Sequence, residues 1–76
     1  MNTVVAVSTR TFFASHGRLP RGSGCWGFEI AQVEGGSGEQ VWFFGSYGEA
    51  LKQAKAKAKE LGAQRNLRHL FVMVLS

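Results

Sequence analysis

Three groups of residues in this chain have types and spacing that could do chemistry. Ser15 and His16 are adjacent in the run SHGRLPRGSG, and Arg18 and Arg21 follow within the same glycine-rich stretch. Lys52, Lys55, Lys57 and Lys59 crowd the second half of the chain. The acids are Glu29, Glu34, Glu39, Glu49 and Glu60, and no aspartate is present. A Ser–His pair suggests hydrolysis, but adjacent residues seldom present their side chains to each other, and no acid stands nearby to orient the ring. A two-metal centre needs several oxygen ligands on each ion, which five scattered glutamates do not supply. Two histidines and the single Cys25 do not assemble a zinc site. No catalytic residue, metal ligand or cofactor is expected, and Cys25, beside Trp26, reads as small core filler.

The basic residues fit a different task. The guanidinium forks of Arg18 and Arg21, with the backbone N–H groups of the glycines around them, would grip a phosphate. The spacing matches no phosphate-loop motif, and the same glycines and proline also punctuate an ordinary connecting loop. Lys55 and Lys59 repel each other at i, i+4, which costs a few tenths of a kcal/mol on a helix. A nucleic acid or an acidic protein surface would relieve that repulsion. The formal net charge of +4 favours the same kinds of partner.

Those residues need a scaffold, and 76 residues make one small domain spanning 1–76. A chain this short buries roughly 60% of its unfolded surface, so a shared interface adds stability. No apolar run reaches the ~18 residues of a membrane span, and the N-terminus lacks a basic-then-apolar secretory order. A single cysteine points to a reducing cytoplasm.

The element order reads β-β-β-α-β. TVVAV continues through STRTFF with no breaker before Gly17, which predicts an extended first strand. CWGFEIAQV alternates, with Trp26, Phe28 and Ile30 on one face and Gly27, Glu29 and Ala31 on the other. EGGSGE is a hairpin connection, and QVWFFG forms a third strand that is apolar on both faces. Ser46 and Glu49 spell a capping box. Tyr47, Ala50, Leu51, Ala54, Ala58 and Leu61 then form one helical stripe that ends at Gly62, a natural stop. LFVMVLS closes the chain as an apolar strand. Strand–helix–strand connections and burial of the most apolar strands put strands 1 and 4 side by side and parallel. The expectation is an α+β domain with a four-stranded mixed sheet, order 3-2-1-4, and one helix packed on one face.

That order resembles the N-terminal core of the ribonuclease H-like fold, through a strand, a glycine-rich turn into CWGF, a hairpin, and a helix opening at Glu49. The resemblance implies a nuclease ancestry without the chemistry. Ser8, Thr9 and Arg10 stand where that family places its first aspartate. RGSGCWGFEI, a glycine hairpin and VWFFGSYGEALKQA also resemble three-strand-plus-helix DNA-binding modules over residues 18 to 62. These modules include AP2 domains and the arm-binding domains of phage-type integrases. That resemblance implies a recognition surface of Arg18, Arg21, Trp26 and Glu29.

One helix covers one sheet face, so either the Trp26 set or the Trp42 and Phe44 set lies uncovered. The uncovered set stacks on bases or packs on protein, including a second copy. The combined reading is a small, basic, non-enzymatic module that binds nucleic acid through Arg18, Arg21, Trp26, Lys52, Lys55 and Lys59. The alternative is a protein-interaction module, an inhibitor or adaptor of the kind phages and mobile elements carry, using Trp42 and Phe44. A homodimer is expected in either case.

Overall fold

The computed structural model describes residues 3–75. The chain is α+β, with strands β1 (Val4–Ser8), β2 (Ser23–Ala31), β3 (Glu39–Ser46) and β4 (His69–Val74) and helices α1 (Arg10–His16) and α2 (Tyr47–Arg65). The four strands form one mixed sheet in the order β1-β4-β2-β3. β1 and β4 run parallel, with Val5 beside Leu70 and Val7 beside Val72. β2 lies antiparallel to both β4 and β3.

The parallel pairing of the first and last strands is as the sequence suggests. The rest of the order is not: β4 stands between β1 and β2, giving 3-2-4-1 in place of 3-2-1-4. The cause is α1. Residues 10–16, read from sequence as a continuation of the first strand, are helical. A hairpin between strands 1 and 2 is therefore lost, and the connection is long enough to carry β2 past β4. RTFFASH has only middling helix propensity, so tertiary packing decides its conformation. Phe12 is buried, its ring centroid 5.7 Å from that of Trp26. Gly17 ends the helix at φ 68°, where its N–H donates to the Phe13 carbonyl.

β4 takes the centre because it is apolar on both faces. Val72 and Val74 are fully buried under α2, together with Phe28 and Ile30 of β2. Ala50, Ala54 and Ala58 line the buried side of α2, and their single methyl groups let the helix lie close to the sheet. Ser46 caps α2 as expected. Its hydroxyl accepts from the Glu49 N–H at 3.2 Å and donates to the Glu49 carboxylate at 3.0 Å.

Gly62 does not end that helix. The helix continues to Arg65 and closes at Asn66, which adopts the left-handed conformation at φ 55°. Gly62 is buried instead, and a β-carbon there would collide with the Thr3 side chain, which donates to the Leu67 carbonyl at 2.9 Å. The glycine serves close packing between α2 and the start of β1.

Among the described residues, no helix packs on the other sheet face. Its β4 side is covered by the 32–38 connection, which folds back over it. The Gly35 N–H reaches the Met73 sulfur at 3.0 Å, and the Gly38 N–H donates to the Glu29 carboxylate at 2.9 Å. Ser8, Ala31 and Met73, which share this face by register, are buried. The β3 side of the same face stays open.

Candidate nucleic-acid interface

α2 presents two chemically opposite sides. With a 100° step per residue, Lys52, Lys55 and Lys59 fall within about 60° of one another, opposite the alanine stripe. All three are exposed, and with Gly48, Leu51 and Ala56 they line a shallow concavity of about 400 Å³. Their spacing of three and four residues sets them roughly 4.5 and 6 Å apart along the axis.

The acids of the chain are occupied elsewhere. Glu34 pairs with Arg10 at 3.7 Å, Glu39 with Arg65 at 3.6 Å, and Glu60 with Lys57 at 3.7 Å. Glu49 is held in the cap of α2 and Glu29 by the Gly38 N–H. Among the described residues, Lys52, Lys55 and Lys59 have no ion-pair partner. Lys57, the remaining lysine of the run, is the one that is neutralised.

The arginine loop meets the same end of the helix. The Gly22 carbonyl accepts from the Tyr47 N–H at 2.8 Å and from the Trp26 indole N–H at 3.3 Å. The first of these bonds ties Gly22, at the end of the loop, to the first turn of α2, and Arg18 and Arg21 are exposed in that loop.

Trp26 does not belong to this surface. Only 7% of it is exposed, and its ring packs between Phe12 and Tyr47, at 5.7 and 5.1 Å between centroids. It is a core residue that supports the loop through its N–H. The reason is the face it occupies: Trp26 alternates with Phe28 under α2, while Cys25 and Gly27 point the other way. Cys25, expected in the core, is correspondingly exposed beside Phe44.

Trp42 and Phe44 lie on the open side of the sheet, away from α2, and are 53% and 79% exposed. They form a second surface separate from the basic one. Ser15 and His16 are exposed on α1, where the imidazole stacks on Phe12 at 4.1 Å between centroids.

One feature has no sequence signal. A concavity of about 520 Å³ opens between the 32–38 connection and the end of α2, walled by Ile30, Val33, Leu61 and Leu70 with the Arg65–Glu39 pair. It exists because distant segments meet, so no local pattern marks it.

Among the described residues, no group of three His, Cys, Asp or Glu could hold a metal ion, and no helix is long and apolar enough to cross a membrane. No protein-family model matches the chain, and neither curated proteins nor solved structures give a match.

Proposed function

We propose that this chain is a small, non-enzymatic module that binds nucleic acid through the outer side of α2 and the arginine loop docked at its first turn. The observation that carries the reading is the unpaired set Lys52, Lys55 and Lys59, exposed on one side of a helix while every glutamate is engaged elsewhere. Three like charges held on one side repel, and a phosphate backbone offsets that cost while releasing its own counterions. Arg18 and Arg21, exposed in the loop tied to the first turn of α2, add fork-shaped donors suited to phosphate oxygens. Contacts of this kind position a protein on the backbone and carry no sequence information. The expected behaviour is therefore affinity without sequence preference.

A salt-dependent binding titration with a labelled duplex tests this. Lys52→Ala, Lys55→Ala and Lys59→Ala combined should lower the slope of log K against log salt by up to about 2.7, at roughly 0.9 for each lost phosphate contact. Arg18→Ala with Arg21→Ala should lower it by up to about 1.8 on the same scale. An unchanged slope in both variants would refute the reading.

A second reading rests on Trp42 and Phe44. Two large aromatics exposed side by side on an uncovered sheet suit a protein contact.

A further inference from the structure

We infer that β3 is a pairing edge for a second copy of this chain, joined antiparallel about a two-fold axis at Phe43. β3 is an outer strand. One side is laddered to β2 from Ser46 to Glu39, and among the described residues no strand pairs with the other. Natural edges are guarded by charge, proline or brevity. β3 is eight residues long, whereas β1, the opposite edge, has five. Between Gln40 and Gly48 there is neither a charged residue nor a proline.

The register argues for a copy of itself. Directly opposed residues of an antiparallel pair share a face. An axis at Phe43 therefore sets Trp42 of each copy opposite Phe44 of the other, twice over, and Val41 opposite Gly45. Moving the axis to Trp42 would oppose Phe44 with Gln40 and lose both mixed aromatic pairs.

Charge agrees. Two chains of net charge +4 repel, but the seam itself carries no cation, and Glu39 would lie opposite Tyr47 of the other copy. Bases stacking on these rings would need cations among them. Their neighbours on this face are Cys25, Gly27 and Gln40, with the acid Glu29 beyond.

Area allows a modest affinity. Trp42 and Phe44 expose roughly 300 Å² per copy on the usual size of aromatic side chains, of which an edge-to-edge pair covers the flanks. With the backbone of an eight-residue strand the buried area stays below about 1,200 Å², the lower bound for standard complexes, in the range of weak, concentration-dependent pairs. The resulting eight-stranded sheet would carry both α2 helices on one side, with their lysines facing the same way.

Sedimentation velocity at micromolar concentration tests the pairing, with Phe44→Lys and Val4→Lys as variants. Both positions are exposed on edge strands, and far-ultraviolet circular dichroism checks that each variant folds. Wild type and Val4→Lys should sediment with twice the mass of one chain, and Phe44→Lys with the mass of one. Cys25, exposed and the sole cysteine, provides a spin-label site that needs no mutation. The two Cys25 α-carbons would stand roughly 16 Å apart, from three strand spacings and a two-residue offset. A dipolar distance of about 15–25 Å between labels supports the register. A monomeric wild type, a dimer that survives Phe44→Lys, or a much longer distance overturns the inference.

Discussion

The indole of Trp42 rests on Gly27 of the neighbouring strand so closely that a β-carbon on Gly27 would fall inside the ring. Gly27 is buried, and the Trp42 ring is what a side chain there would meet. The pair explains how a half-exposed tryptophan can hold one position on an open sheet.

Gly27→Ala should therefore dislodge the indole. Overfilling a packed site costs about 1–3 kcal/mol, and the ring has solvent to move into, so the lower end is expected. Chemical denaturation should show a small loss of stability together with red-shifted tryptophan emission. Unchanged emission would mean the contact is not maintained in solution.

Gly62→Ala reverses the usual helix argument. Alanine favours a helix interior by about 1 kcal/mol over glycine, but here the added methyl group meets the Thr3 side chain. The variant should be less stable than wild type, and Thr3→Ala should return part of the loss in the double variant. A denaturation cycle over the four proteins reads the coupling. Additive effects would contradict the contact.

Tyr47 predicts an alkaline limit to stability. Burial against Trp26 pushes its phenol above the ordinary value of 10.0. The folded state then holds the proton more tightly than the unfolded one. The associated stability is fully present below about 10 and is lost as pH rises through the higher folded value. The informative quantity is the difference between wild type and Tyr47→Phe across alkaline pH. That difference should change as pH rises, and a constant gap would contradict the assignment.

Trp26 and Trp42 separate core from surface. Trp26→Ala removes a ring packed between Phe12 and Tyr47 and should cost about 3–5 kcal/mol. Trp42→Ala should cost far less, because half of its surface is already in water. Thermal melts of the two variants should differ widely. Equal losses would contradict this division.

Much of this fold was legible because its signals are local. The capping box at Ser46 and the stripe from Tyr47 to Leu61 mark α2 within one segment, and the alternation of Trp26, Phe28 and Ile30 marks β2. What was not legible depends on distant contacts. RTFFASH is helical because Phe12 finds Trp26, and nothing within those residues announces that meeting. The strand order then follows from α1, which is why one misread segment shifts β4 by a place. Gly62 reads as a stop because glycine has that local meaning, while its packing against Thr3 spans 59 positions of sequence. The lysines of α2 were legible as a group. Their isolation from every glutamate was visible only once the acids were placed.

On the proposed function, nucleic acid meets the lysine side of α2 and the loop at its first turn. Amide chemical-shift mapping during titration with a short duplex tests this most directly, because it reports the contact surface residue by residue. The shifts should concentrate at residues 17–22 and 48–59 and fade as salt is raised, with β3 little affected beyond its own concentration dependence. No shifts at low salt, or shifts confined to Trp42, Phe44 and their neighbours, would refute a nucleic-acid surface on α2.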